Sequence, residues 1–118
     1  MKNLITFICL MLFAVTAQAQ EPTKYQKGRA TLFATYIAEK MDLNENQEKV
    51  VYNVMLERVM NANAKIKANK NISKEDRQAI YKAEYANAQQ KLAAEFGKKQ
   101  AQKMMLMSNE ARKNADKK

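Results

Sequence analysis

The chain has 118 residues, one cysteine, no histidine and a formal net charge of +9 at pH 7. This length suits a single domain. A disulfide framework needs more than one cysteine, and zinc or copper sites are commonly built from thiolate and imidazole ligands, so both are excluded. The positive charge favours acidic partners, such as nucleic acid, acidic protein segments or anionic lipid surfaces.

The first residues have the three parts of a secretory signal. Lys2 gives a positive start, residues 4–15 form an apolar run, and the tripeptide at 17–19 is Ala-Gln-Ala, the small-x-small pattern that signal peptidase accepts. The apolar run is shorter than the roughly 20 residues that a membrane-spanning helix needs. This pattern predicts export rather than a membrane anchor.

We therefore expect residues 1–19 to be a signal peptide, cleaved after Ala19 on export to the bacterial periplasm. Residues 20–118 are then a single helical domain with a frayed basic C-terminal tail. A retained anchor and a lipoprotein modified at Cys9 are the alternatives. Export also removes nucleic acid from the expected partners, and it leaves unfolded proteins, acidic domains and membrane surfaces.

The rest of the sequence has the composition of helices. After Pro22 there is no proline, and the only glycines are Gly28 and Gly97, while Ala, Lys, Glu, Gln and Met are abundant. The one cluster of β-branched residues, at 50–54, fits a helical face better than a strand. The sequence predicts an all-α fold of about four helices.

The apolar residues recur every three or four positions, which places the helices in chain order. The first extends over about Lys24–Met41. The second extends over about Asn44–Lys70, a length of about 40 Å at the helical rise per residue. A third covers about Ser73–Phe96, with a serine N-cap, and a fourth covers about Lys98–Lys113. Their apolar stripes are narrow, so we expect a thin core in one chain and a homodimer that covers the remaining apolar surface.

Two five-residue segments look like copies of one pattern. Residues 43–47 read Leu-Asn-Glu-Asn-Gln and open the second helix, and residues 96–100 read Phe-Gly-Lys-Lys-Gln and open the fourth. In a capping box, the N-cap side chain and the Gln at position N3 each bond the other's backbone N–H. The first segment has both groups. In the second, Gly97 has no side chain, so we expect only the Gln100 half of the box. Replacing Gly97 by alanine is therefore expected to cost little stability or to increase it.

These segments resemble the Leu-Thr-x-x-Gln motif of the Spy/CpxP family of periplasmic proteins. The first segment differs only by Asn in place of Thr. The second has Phe in place of Leu and Gly in place of Thr. The residues that match or replace motif positions are Leu43, Asn44, Gln47, Phe96, Gly97 and Gln100.

The resemblance implies a thin, curved dimer of long helices, with the two longest helices in an extended antiparallel hairpin. One family member acts as an ATP-independent chaperone, and another restrains an envelope-stress sensor kinase. A zinc-dependent relative uses histidine and cysteine, which residues 20–118 lack. No cofactor is therefore expected.

The last predicted helix combines basic residues with methionine. A methionine cluster on a surface can adapt to different partners, and nearby lysines attract acidic segments over long distances. Four consecutive apolar residues, at 104–107, cannot all face the core of a helical protein. Core packing of the methionines and a merely solvated lysine face are the alternatives. The candidate protein-binding residues are Lys98, Lys99, Lys103, Met104, Met105 and Met107.

The sequence therefore predicts a periplasmic, chaperone-like protein that binds unfolded or misfolded envelope proteins. One alternative is a regulatory adaptor that docks on an envelope-stress sensor kinase. Another is a basic amphipathic protein bound to anionic membrane surfaces. We do not expect an enzyme, because no histidine base is present and Ser73 and Ser108 are the only serines after residue 19.

Overall fold

Four α-helices form the part of the chain that the computed structural model describes, residues 21–117. The predicted all-α fold with four helices is confirmed, and these residues contain no β-strand. The predicted signal peptide lies outside the described residues. The helices are α1 (Lys24–Met41), α2 (Glu45–Ala68), α3 (Lys74–Phe96) and α4 (Lys98–Asp116).

A tight reversal joins α1 to α2. Asp42 is in the left-handed region, with φ 55° and ψ 52°, which aspartate tolerates better than most residues. The N–H of Leu43 donates to the carbonyl of Ala38 at 3.0 Å. Next, Asn44 Oδ1 accepts from the N–H of Gln47 at 2.9 Å, and Gln47 Oε1 accepts from the N–H of Asn44 at 3.0 Å. The predicted capping box at the start of α2 is therefore present.

A second capping box, which the sequence analysis missed, begins α1. The N–H of Gln26 donates to Thr23 Oγ1 at 3.1 Å, and the N–H of Thr23 donates to Gln26 Oε1 at 2.9 Å. The signal was a Thr-x-x-Gln spacing, but Pro22 stands where the predicted pattern has a large apolar residue. Both boxes satisfy backbone N–H groups that a helix start otherwise leaves unpaired.

Gly97 is the single residue between α3 and α4. Its φ of 91° and ψ of 155° lie in a region that essentially only glycine adopts. Its N–H donates to the carbonyl of Ala93 at 2.9 Å, and its carbonyl accepts from the N–H of Ala101 at 3.0 Å. The expectation that Gln100 would cap this amide is wrong, because the end of α3 already uses it.

The helices pack in a closed cycle. Each helix packs against the next one along the chain, and α4 returns to α1. The molecule measures 46 × 37 × 25 Å along its principal axes. Its smallest dimension corresponds to about two helix diameters, so the helices form two layers around one core.

The core is built largely from small residues. Five of its twelve members are alanine, which lets the helix backbones approach closely. All four helices contribute, and the larger side chains are mainly aliphatic or methionine. The buried cluster consists of Ala30, Phe33, Ala34, Ile37, Val51, Met55, Ala88, Leu92, Ala101, Met104, Met105 and Ala111.

The two glycines should respond in opposite ways to replacement by alanine. Gly28 lies inside α1, and a Cβ there would meet no atom within 4 Å, so Gly28→Ala should raise the free energy of unfolding by about 0.5–1 kcal/mol. Gly97→Ala should lower it by about 1–3 kcal/mol, because an L side chain is strained at this φ. Urea unfolding of both variants measures the contrast. Shifts of the same sign would contradict the assigned backbone at Gly97.

Candidate binding sites

The lysines predicted to contact other proteins lie on the outside of α4. Lys98, Lys99 and Lys103 are all exposed, and none of them takes part in an ion pair with a carboxylate of residues 21–117. Their ammonium groups are therefore available to an acidic partner. The structure bears out the accessibility of these three residues and does not test their binding.

The structure contradicts the methionine part of the predicted surface. Met104 and Met105 are 1% and 0% exposed and belong to the core. Met107 is half-buried and packs against the same core. The inward face of α4 is set by positions three or four apart, and both buried methionines fall on it. The buried residues of α4 are Ala101, Met104, Met105, Ser108 and Ala111.

Leu106 is the apolar residue that α4 exposes instead. Its side chain is 64% exposed, the second most exposed of the three large apolar side chains that residues 21–117 leave in solvent. Lys103 and Lys99 precede it by three and seven positions, so they lie on the same side of the helix. Lys98 is the first residue of the helix and lies about a quarter turn away from Leu106. We call Lys98, Lys99, Lys103 and Leu106 together the outer face of α4.

The six motif residues serve helix starts and core packing. Leu43 and Phe96 are half-buried and pack against the same buried cluster. Asn44 and Gln47 form the capping box of α2, Gly97 forms the joint between α3 and α4, and Gln100 is exposed. The two motif segments begin helices that do not pack against each other, since α2 and α4 are not neighbours in the cycle.

A half-buried arginine, which the sequence analysis did not single out, joins all four helices. The guanidinium carbon of Arg58, on α2, is 5.5 Å from the ring centre of Phe33 on α1 and 5.3 Å from that of Tyr85 on α3. Its Nη1 donates to Ser108 Oγ on α4 at 3.2 Å, and Ser108 Oγ donates to the carbonyl of Met105 at 2.7 Å. The Arg58 cation therefore lies within cation–π distance of two aromatic rings and is hydrogen-bonded to the last helix.

Two further arginines give this region an excess of positive charge. Burial lowers the pKa of Arg58, the charges of Arg112 and Arg29 lower it further, and Tyr85 acts in the opposite direction. Arginine stays charged even so. Among residues 21–117, no carboxylate lies within ion-pair distance of any of the three guanidinium groups. The nearby buried Glu84, 2% exposed, pairs with Lys65 instead.

The three arginines line one cavity of about 260 Å³. Arg29 comes from α1, Arg58 from α2 and Arg112 from α4, and the other lining residues include three aromatic side chains. These arginines are far apart in the sequence and belong to different helices, so no local spacing indicated that they meet. Only the packing of the four helices brings them together.

Comparison with known proteins gives no relative to reason from. No family model, no curated protein and no solved structure matches the chain.

Within residues 21–117, none of the helices combines the length and the apolar character needed to cross a bilayer. The same residues hold no group of three or more His, Cys, Asp or Glu side chains placed to bind a metal ion.

The stacked geometry of Arg58 makes Arg58→Lys a disruptive change even though it keeps the charge. Lysine cannot present a flat guanidinium to Phe33 and Tyr85, and each cation–π contact of a desolvated group contributes about 1–2 kcal/mol. We expect the free energy of unfolding to fall by about 2 kcal/mol, measured by urea denaturation. Arg77→Lys, at an exposed position on α3, is the matched control and should change it by less than about 0.5 kcal/mol. Equal effects would refute a structural role for the stacking.

Proposed function

We propose that this protein is exported to the bacterial periplasm, is not an enzyme, and binds unfolded or misfolded envelope proteins without ATP. The Spy/CpxP resemblance of the segments at 43–47 and 96–100 suggests this role. One observation carries it: the outer face of α4 places an exposed leucine among three exposed lysines that have no carboxylate partner in residues 21–117.

Such a face binds in two steps. Charge acts at long range, so the lysines raise the rate at which acidic or partly acidic segments arrive. Apolar contact acts only at short range, so Leu106 slows departure of a segment that has bound. With Met104 and Met105 in the core, the apolar part of the face is small. Weak and general binding is therefore expected, which suits a protein that contacts many unfolded chains.

The proposed architecture includes an antiparallel hairpin of α2 and α3. Two ion pairs support it, one between Lys65 and Glu84 and one between Lys91 and Glu57. Lys65, the later of the two residues on α2, pairs with Glu84, the earlier of the two on α3. Glu57, the earlier residue on α2, pairs with Lys91, the later residue on α3. Helices that run in opposite directions give this order of contacts.

We also propose that the protein is a homodimer, on the grounds of its narrow apolar stripes. Light scattering at micromolar concentration should give twice the chain mass. The dimer rests on the family resemblance and on the sequence pattern, not on the outer face of α4, so the dimer and the client-binding face are independent proposals. A stable monomer mass would overturn the first and leave the second standing.

Suppression of aggregation tests the proposed function. Two unrelated denatured proteins, diluted from urea with no nucleotide present, should remain soluble at a near-stoichiometric ratio of this protein. Failure with both would contradict chaperone activity. If an isolated periplasmic domain of a sensor kinase were bound while both denatured proteins aggregated, the regulatory adaptor would be the better interpretation.

Variants of the outer face should separate the two binding steps in stopped-flow experiments. A triple change of Lys98, Lys99 and Lys103 to Gln should slow association and flatten its salt dependence. The matched control changes three exposed lysines around the α2–α3 connection to Gln and should alter association much less; these are Lys67, Lys70 and Lys74.

The leucine should act on dissociation rather than association. Leu106→Ser should raise the dissociation rate by about tenfold or more, because burying a leucine contributes about 1.5–3 kcal/mol. Thermal melts of this variant and of the triple lysine variant should match that of the unmodified protein, because all four residues are exposed. If the control variant at Lys67, Lys70 and Lys74 associates as slowly as the outer-face triple variant, the outer face of α4 is excluded as the binding surface.

A further inference from the structure

The cavity beside Arg58 has a positive charge that no carboxylate of residues 21–117 neutralises by an ion pair. Arg29, Arg58 and Arg112 contribute three positive charges to its wall. Glu84 also lines it, but the ammonium group of Lys65 is bonded to that carboxylate. The cavity is therefore strongly positive and attracts anions.

Arg58 also has hydrogen-bond donors to spare. A guanidinium has five N–H groups. Only Nη1 donates to the protein, to Ser108 Oγ at 3.2 Å and weakly to the sulfur of Met55 at 3.8 Å. The Nη2 and Nε atoms of Arg58 have no acceptor among residues 21–117. Every fully buried side-chain nitrogen or oxygen in these residues has a hydrogen-bond partner, so Nη2 and Nε are not fully buried. The free donors must therefore reach solvent or one of the cavities that Arg58 lines.

Three aromatic side chains also line the cavity, beside Val59, Ala62, Asn63 and Glu84. Phe33 is buried beneath the arginines, and Tyr25 and Tyr81 stand at the cavity with 68% and 48% of their surface exposed. Exposed aromatic rings of this kind pack well against an apolar or aromatic body. The volume of about 260 Å³ is slightly below the roughly 300–1,000 Å³ of pockets for drug-sized molecules, so the occupant is small.

We propose that the cavity between Arg29, Arg58 and Arg112 is a binding site for a small organic anion, a phosphate or carboxylate group carried on an aromatic or apolar body. The guanidinium groups bind the anionic end, for which their paired N–H donors are geometrically suited. Tyr25 and Tyr81 pack against the apolar end. This site is distinct from the outer face of α4 and does not depend on the proposed client binding.

A purely structural role explains Arg58 but not its two companions. Stacking on Phe33 and Tyr85 and the bond to Ser108 need only one guanidinium. Arg29 has a ring contact of its own, 5.7 Å from the centre of Phe33, whereas Arg112 is exposed and has no carboxylate partner in residues 21–117. Like charges placed together oppose folding. A bound anion would offset this repulsion, so the site should stabilise the protein when occupied.

Three probes separate the anionic and apolar parts of recognition. Phenyl phosphate carries both, inorganic phosphate carries only the anion, and benzyl alcohol carries only the ring. Binding is followed by calorimetry and by the NMR signals of the arginine Nε–H groups. Phenyl phosphate should bind saturably and at least about tenfold more tightly than either fragment. Equal affinity for phenyl phosphate and inorganic phosphate would overturn the aromatic part of the proposal, and no saturable binding of any probe up to 10 mM would overturn it entirely.

Adjacent substitutions on α4 give a matched control. Arg112→Gln should weaken phenyl phosphate binding by about tenfold, since it removes a hydrogen bond to a charged group. Lys113→Gln removes the same charge one residue away, at a position that does not line the cavity, and should weaken binding less than twofold. Both residues are exposed, so both variants should fold. Equal losses in the two variants would show general charge attraction and refute the site.

Discussion

The side chain of Arg58 joins α2 to each of the other three helices in the described part of the chain. Its charge lies between the rings of Phe33 and Tyr85, and Ser108 accepts one of its N–H groups. An alanine-rich core lets helices slide, because small side chains fit at several registers. The Arg58 guanidinium can contact both rings and the Ser108 hydroxyl at only one register of the helices. Arg58 therefore favours one arrangement of the helices as well as stabilising it.

The sequence predicted the helices well because local rules determine where helices begin and end. Asn44 and Gln47 form the box that their spacing indicated, and α1 begins and ends at the predicted residues. The buried face of α4 was harder to predict from the sequence, because a run of four apolar residues does not show which of them point toward the core. Packing against the other helices buries Met104 and Met105 and leaves Leu106 outside. The arginine cavity had no local signal at all, since each arginine comes from a different helix.

The two candidate surfaces lie on different sides of α4, and each suits a different kind of partner. The outer face of α4 is exposed, basic and only slightly apolar, and it suits long flexible chains that touch it briefly. The cavity near Arg112 is concave, basic and aromatic, and it suits a small rigid molecule. α4 carries residues of both surfaces, Arg112 in the cavity and the lysines on the outer face.

The one-residue joint at Gly97 limits how the length of this chain can change. A helix turns by about 100° for each residue. An insertion or deletion after Gly97 that is absorbed by α4 would rotate its sequence by that angle and bring lysines toward the core while methionines turned outward. The five residues between α2 and α3, by contrast, can lengthen at small entropic cost. Homologous chains should therefore vary in length at the α2–α3 connection and keep the spacing between Phe96 and Ala101 fixed.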